Sequence, residues 1–130
     1  GGPGMGLFLS DRMLDRISAT AEQRTQLRKI AQDAAADMQA QRQAGRALRD
    51  QMAQLFSQPT VDARAVEALR QQMLAHRDQA SKRQFQAMLD ASSVLTAAQR
   101  KQVADLAKQR REMAERHWRE RQSIEAAPKS

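Results

Sequence analysis

Thr20–Leu27 (Thr-Ala-Glu-Gln-Arg-Thr-Gln-Leu) recurs as Thr96–Val103 (Thr-Ala-Ala-Gln-Arg-Lys-Gln-Val). The similarity continues to Ile30-Ala31 after the first copy and to Leu106-Ala107 after the second. In both copies a Thr is followed three residues later by a Gln, which is the pattern of a capping box. The Thr hydroxyl accepts from the third backbone amide of the helix, and the Gln side chain bonds back to the amide of the Thr. The repeat therefore predicts two helix starts, one at each Thr.

The composition favours helices in the rest of the chain. Its 130 residues include 24 Ala and 18 Gln, and its only aromatic residues are Phe8, Phe56, Phe85 and Trp118. Aromatic and β-branched residues, which strands prefer, are scarce, and the length is that of one domain. We predict an all-α protein with a disordered segment at 1–6, a single helical domain at 7–124 and a disordered tail at 125–130.

Helix breakers and periodicity predict one short helix and three long ones. Pro59 lacks an amide donor and biases the residue before it away from helical backbone, so it separates the second helix from the third. The predicted elements are a short helix at Leu7–Ile17, a second helix from Thr20 to the break at Ser57–Thr60, a third at Val61–Ala91 with Thr60 as its N-cap, and a last helix that follows the joint Ser92–Leu95 and has Thr96 as its N-cap.

Each long helix has an apolar stripe. In the second helix the stripe follows steps of four and three, which is a heptad pattern; its members are Leu27, Ala31, Ala34, Met38, Gln41, Gly45, Leu48, Met52 and Leu55. The third helix has Val66, Leu69, Met73, His76 and Ala80, with Phe85, Met88 and Leu89 further on. The last helix has Val103, Leu106, Met113, His117 and Ile124.

The four-residue joint predicts that the second and third helices form a long antiparallel hairpin. One such hairpin, lined by Ala, Met and Gln, cannot enclose a compact core. Apolar surface is then left over on one face, and we expect a homodimer to cover it.

The chain is basic, with a net charge of +7, and residues 99–122 hold eight Lys or Arg against four acids. This pattern is typical either of a solvated surface of mixed charge or of one that binds an acidic partner. The basic residues are interspersed with acids and form no nucleic-acid-binding motif, so we expect no nucleic acid partner. No apolar run approaches the roughly 20 residues of a membrane span, so we expect no membrane insertion.

No pattern of residues indicates catalysis. The chain has no Cys, and no nucleophile–base pair, phosphate loop or carboxylate dyad stands out, so we expect neither enzyme activity nor a cofactor. His76, His117 and Glu120 are weak candidates for metal ligands, since His117 and Glu120 are three residues apart on one helix. Zinc sites generally use three or four ligands, so we predict no metal site.

The seven Met residues have two interpretations. Met at helical spacing is commonly part of a core. Flexible Met side chains also form adaptable binding surfaces, and Arg beside them can pair with acids and stack on aromatic rings. That second combination is typical of a surface that accepts varied partners.

The repeat also resembles a known motif. Leu95-Thr96-Ala97-Ala98-Gln99 has the LTxxQ pattern of the Spy/CpxP family of small bacterial envelope proteins, and Ala19–Gln23 is similar to a first copy in which Ala19 replaces the Leu. Met73–His76 resembles part of the third helix of Spy-type chaperones, the members that the chain resembles most. The resemblance covers about residues 12–117.

The resemblance implies a thin, curved, cradle-like antiparallel homodimer in the periplasm. Spy-like members are ATP-independent chaperones that hold unfolded or partly folded client proteins on a concave face. CpxP-like members also report envelope stress to a sensor kinase, and more distant relatives bind zinc, nickel or cobalt. By this resemblance we expect a periplasmic chaperone. The alternatives are a metal-binding sensor or resistance protein and an envelope-stress signalling protein with one dedicated partner. The expected client contacts are Met38, Arg42, Met73, His76 and Arg77.

Overall fold

The computed structural model of the protein describes residues 10–126. In this range the chain forms four α-helices and no strand, namely α1 (Asp11–Arg16), α2 (Ala21–Phe56), α3 (Ala63–Val94) and α4 (Ala97–Ala126). The predicted all-α class, with one short helix and three long ones, is confirmed. The predicted segment 1–6 lies outside the described residues, as do the last four residues of the predicted tail. Glu125 and Ala126, also assigned to that tail, are the last residues of α4.

The short helix α1 begins at Asp11, later than the predicted start at Leu7. Residues 7–9 of the predicted helix lie outside the described range. Ser10 is its N-cap, and the Ser10 hydroxyl accepts a hydrogen bond from the backbone amide of Met13 (3.1 Å). Asp11 lies in the first turn, where a carboxylate interacts favourably with the helix dipole. This capping signal was present in the sequence and was missed.

The turn between α1 and α2 is a Schellman motif. Ser18 has a left-handed backbone (φ 54°). Its amide donates to the carbonyl of Asp15 (3.1 Å), and the amide of Ala19 donates to that of Leu14 (3.0 Å). Leu14 and Ala19 are both buried, which is the apolar contact that usually accompanies this motif. The motif stops α1 and places the next residue, Thr20, at the start of α2.

Helices α2 and α3 form the predicted antiparallel hairpin, the main helix–helix packing of the chain. Three contacts show that the two helices run in opposite directions. Gln23 bonds to Val94, Asp37 pairs with Arg83, and Gly45 lies against His76, so residue numbers rise along α2 while they fall along α3. At 1.5 Å per residue, the 36 residues of α2 extend for about 54 Å.

Both predicted ends of the third helix are wrong. Its N-cap is Asp62, not Thr60, because the Asp62 carboxylate accepts from the amides of both Arg64 and Ala65 (3.0 and 3.2 Å). At its other end α3 continues through the predicted joint as far as Val94. Ser92 and Ser93 are helical, and their hydroxyls donate to carbonyls of the preceding turn.

The heptad stripe of the second helix is confirmed, since all nine of its members are buried or half-buried. The stripe of the third helix is confirmed from Val66 to Ala80. Beyond it, Phe85 and Leu89 are 59% and 64% exposed, so their assignment to the stripe is wrong. Ala87 and Ala91 face inward instead and are completely buried. These small side chains let the two backbones approach closely, while Phe85 and Leu89 lie on the far side of the helix.

The hydrophobic core lies at the end of the hairpin where α1 and the start of α4 pack. Leu27 is completely buried at its centre. The other buried members are Met13, Leu14, Ile17, Ala19, Ala91, Leu95 and Val103, with Val94 and Leu106 packed against them. Ala19, which replaces the Leu of the LTxxQ pattern, is buried as Leu95 is, but it fills less space.

The last helix contributes to this core only through its first three turns. Val103 is buried and Leu106 is half-buried, but every residue from 108 to 126 is exposed. Met113, His117 and Ile124 therefore do not continue a buried stripe within the chain, contrary to the prediction. α1 lies beside the first residues of this part, Gln109, Arg110 and Met113, across a cleft.

Both predicted capping boxes are present. The amide of Gln23 donates to the Thr20 hydroxyl (3.1 Å), and the amide of Thr20 donates to the Gln23 carbonyl oxygen Oε1 (2.9 Å). Thr96 and Gln99 form the same two bonds, at 3.1 and 2.9 Å. Each cap stabilises its helix by about 1 kcal/mol.

The two capping glutamines also bond to each other, and we call this pair the glutamine clasp. Nε2 of Gln23 donates to Oε1 of Gln99 (2.8 Å), and Nε2 of Gln99 donates to Oε1 of Gln23 (3.0 Å). The second proton of each amide bonds to a backbone carbonyl, Val94 for Gln23 and Ile17 for Gln99. Each amide thus makes all four hydrogen bonds available to it.

Alanine substitution tests the clasp. Gln99→Ala leaves the Gln23 amide and the Ile17 carbonyl short of a partner, so we expect a loss of about 2 kcal/mol in the free energy of unfolding. Gln23→Ala has a smaller effect because Gln23 is only half-buried. The loss of stability in the double variant should be smaller than the sum of the two single losses, by at least about 0.5 kcal/mol. Urea unfolding followed by circular dichroism measures all three values.

Gln26→Ala and Gln102→Ala are the matched controls. They occupy equivalent positions of the two copies, three residues after the clasp, and both side chains are exposed. Each should change stability by less than about 0.5 kcal/mol. Additive losses for Gln23→Ala and Gln99→Ala would contradict the clasp.

Candidate functional site

The middle of the hairpin is built around a close approach of Gly45 on α2 to His76 on α3. A Cβ atom on Gly45 would lie 3.0 Å from Nε2 of His76 and 3.5 Å from Nη1 of Arg49. Glycine inside a helix costs about 1 kcal/mol relative to Ala. Here it makes room for the imidazole, which lies against the backbone of α2.

A cleft of about 260 Å³ opens beside this contact, and we call it the hairpin cleft. Met38, Ala80 and His76 are half-buried, and three exposed Arg residues stand around them. The complete lining consists of Met38, Gln41, Arg42, Gly45, Arg46, Arg49, His76 and Ala80. The hairpin cleft therefore combines an adaptable apolar floor with a rim of guanidinium groups.

The positive charge of the rim is not neutralised inside the chain. Arg42, Arg46 and Arg49 follow one another at steps of four and three residues, so they share one side of α2. None of them forms a salt bridge with any residue between 10 and 126. Like charges at this spacing repel each other by a few tenths of a kcal/mol, and an anionic ligand would remove this repulsion.

Two Arg residues of the hairpin outside the cleft have acidic partners within the hairpin. Arg70 donates two hydrogen bonds to the carboxylate of Glu67, both 2.7 Å long. These bonds, with a further one from Gln71, lower the pKa of Glu67 from 4.5 to about 2. Arg83 pairs with Asp37 across the two helices at 2.6 Å. Three of the Arg residues in the hairpin that form no salt bridge among residues 10–126 therefore lie together at the hairpin cleft.

The structure brings together three of the five residues expected to contact clients. Met38, Arg42 and His76 line the hairpin cleft. Met73 is half-buried and Arg77 is exposed; both lie within one turn of His76 on α3, but neither lines the cleft.

Five of the eight lining residues were not predicted as site residues, namely Gln41, Gly45, Ala80, Arg46 and Arg49. The regular spacing of Arg42, Arg46 and Arg49 on one helix face was a usable signal for the last two. For Gly45 no such signal existed, since its role depends on which residue of α3 lies opposite.

The weak metal candidates do not meet in one place. Nδ1 of His117 is 3.9 Å from Oε2 of Glu120, and both side chains are exposed. His76 lies in the hairpin cleft, whose lining contains no carboxylate. Among residues 10–126, no three His, Cys, Asp or Glu side chains are grouped so that they could hold a metal ion. None of the helices in this range combines the length and apolar character needed to cross a bilayer.

Comparison with known proteins gave one match. Residues 8–107 match a family described as "LTXXQ motif family protein". The matched region includes both Thr-x-x-Gln copies and the whole hairpin between them. No curated protein and no solved structure matches the chain.

The Gly45–His76 contact can be tested by a change in stability. Gly45→Ala alone should change the free energy of unfolding little, because the gain in helix propensity is offset by displacement of the imidazole. In a His76→Ala background the same change should stabilise the protein by about 1 kcal/mol. The exposed Ala47 supplies the control, since Ala47→Gly should cost about 1 kcal/mol in both backgrounds. An equal effect of Gly45→Ala in the two backgrounds would exclude the contact.

Proposed function

The chain belongs to the LTXXQ motif family, which is of the Spy/CpxP type, and from this premise we propose that it is a periplasmic, ATP-independent chaperone. In this role it binds unfolded or partly folded proteins and suppresses their aggregation. Members of the family are typically periplasmic. The observation that supports the chaperone role is the hairpin cleft, in which three unpaired Arg side chains surround a Met- and Ala-containing floor.

The hairpin cleft suits clients without a fixed shape. An unfolded chain presents apolar side chains, carboxylates and free backbone carbonyls in no fixed arrangement. Met38 is flexible enough to pack on varied apolar groups, and the guanidinium groups donate to any carboxylate or carbonyl within reach. The cleft lies along an open helix face, so a client does not need to enter an enclosed site.

The proposal is for binding without catalysis and without a cofactor. The lining of the hairpin cleft includes one imidazole, but no hydroxyl or carboxylate with which the imidazole could form a nucleophile–base pair. Its polar groups otherwise are Arg and Gln side chains. Such groups hold a ligand by charge and hydrogen bonds.

An aggregation assay tests the proposal. The protein should suppress light scattering from a chemically denatured client at stoichiometric amounts without nucleotide, and added salt should weaken the effect by screening the guanidinium charges. Arg42→Gln, Arg46→Gln and Arg49→Gln combined should raise the amount needed by about tenfold, since exposed charge pairs contribute about 0.2–1 kcal/mol each.

The control combines Lys29→Gln, Lys82→Gln and Lys101→Gln. It removes the same charge from exposed positions outside the hairpin cleft, and it should keep full activity. Absence of protection at any ratio would exclude the chaperone function. Equal weakening by the two triple variants would show that net charge acts, and that the hairpin cleft is not the site.

We also propose that the chain forms a cradle-like homodimer through the last turns of α4. Residues 114–126 are all exposed and line none of the clefts described above. His117 and Ile124 continue the helix face of the buried Val103, and the nearby Trp118 is 60% exposed. A helix that packs on nothing is only marginally stable in water, and a second copy would cover this face.

Charge substitution tests this contact. Trp118→Asp with Ile124→Asp should convert a dimer to a monomer in light scattering at about 10 µM protein, because a carboxylate without a partner is costly to bury. Gln122→Asp with Ser123→Asp adds the same charge to neighbouring positions away from Ile124, and that variant should remain dimeric. A monomeric unmodified chain, or equal dissociation of both variants, would exclude this interface.

A further inference from the structure

A second cleft, of about 230 Å³, lies between α1 and α4 at the end of the molecule that contains the hydrophobic core. We call it the terminal cleft. Its lining consists of Ser10, Arg12, Met13, Arg16, Leu106, Gln109, Arg110 and Met113. It shares no residue with the hairpin cleft.

The terminal cleft has an apolar strip with cationic groups on both sides. Met13 and Leu106 form its inner part, and Met113, which is 55% exposed, extends the strip along α4. Arg12 and Arg16 are one turn apart on α1, and Arg110 stands across the cleft on α4. Three Arg residues from two helices therefore line a cleft that also has aliphatic and thioether surface.

No acidic group within the described chain neutralises these guanidinium groups. Arg12, Arg16 and Arg110 form no salt bridge with any residue from 10 to 126. Asp15, next to Arg16 in the sequence, is bonded to Arg24 at 3.0 Å.

On α4 the nearest acids in the sequence lie on the opposite side of the helix from Arg110. At 100° per residue, Asp105 and Glu112 lie about 140° and 160° around the helix axis from Arg110. Like charges that line one cleft repel each other, and an anion bound between them would offset this repulsion.

We propose that the terminal cleft binds a single-chain anionic amphiphile, namely a carboxylate on an aliphatic chain. The carboxylate pairs with the guanidinium groups, whose planar donors match its two oxygens. The first carbons of the chain lie on Met13, Leu106 and Met113, where they leave water. Neither an inorganic anion nor an uncharged apolar molecule would use both parts of the cleft.

The size of the terminal cleft suits the head group and first carbons of one amphiphile. Pockets for drug-sized molecules span about 300–1,000 Å³, so a cleft of about 230 Å³ holds a head group and the start of one chain. This binding does not depend on the hairpin cleft or on the proposed chaperone function.

Calorimetric titration of the full chain with decanoate, below its micelle concentration and at low salt, tests the proposal. We expect saturable binding of one decanoate per chain. Decanol and decyltrimethylammonium keep the aliphatic chain but lack the negative charge, and each should bind at least tenfold more weakly. An acidic peptide with scattered apolar residues should also bind more weakly than decanoate.

Two pairs of substitutions locate the binding. Arg12→Gln with Arg110→Gln should lower the affinity for decanoate at least tenfold, while circular dichroism stays unchanged because both side chains are exposed. Arg42→Gln with Arg46→Gln removes the same charge from the hairpin cleft and should leave this affinity unchanged. Aggregation suppression should be weakened in the Arg42→Gln, Arg46→Gln variant and unchanged in the Arg12→Gln, Arg110→Gln variant.

Four results would overturn the proposal. They are an absence of saturable decanoate binding, equal binding of decanol, unchanged affinity in the Arg12→Gln, Arg110→Gln variant, and tighter binding of the acidic peptide, which would assign the terminal cleft to a polypeptide partner.

Discussion

The glutamine clasp is the interaction on which the rest of the fold depends. It joins the start of α2 to the start of α4, and its outer bonds reach the carbonyls that end α1 and α3. All four helices therefore meet at one pair of amides. Gln99 is buried, and a buried amide is tolerated only when its donors and acceptors are paired. Leu27, Leu95 and Val103 pack around this point, so the clasp and the hydrophobic core stabilise the same end of the molecule.

Away from the clasp the structure becomes thinner and more open. Along the hairpin the buried contacts are made largely by small residues, Ala34, Gly45 and Ala87. Small residues bring the two backbones together but bury little apolar area, so clefts and exposed side chains remain. The Thr-x-x-Gln copies themselves take no part in the hairpin cleft. They fix where two helices start and how the four helices are joined. The surfaces proposed to bind ligands lie on helix faces that this packing leaves exposed.

Much of the helix arrangement was predictable because the sequence patterns that indicate it are local. A capping box involves residues three positions apart, and the α2 stripe follows from the helical period, so both were correctly predicted from the chain alone. The candidate site was predicted only in part. Met38, Arg42 and His76 were expected, but the cleft that unites them depends on the register between α2 and α3, in which Gly45 lies opposite His76.

The sequence by itself determined the helical class, the two capped helix starts, the antiparallel hairpin and the inward face of α2. Each of these depends on neighbours within one or two turns. Tertiary structure alone decided that Gln23 and Gln99 bond across 76 positions of the chain, that Ala87 and Ala91 face inward while Phe85 and Leu89 are exposed, and that α4 extends beyond the core. The physical reason is that periodicity identifies which residues share a helix face, whereas only the packing of one helix on another decides which face is covered.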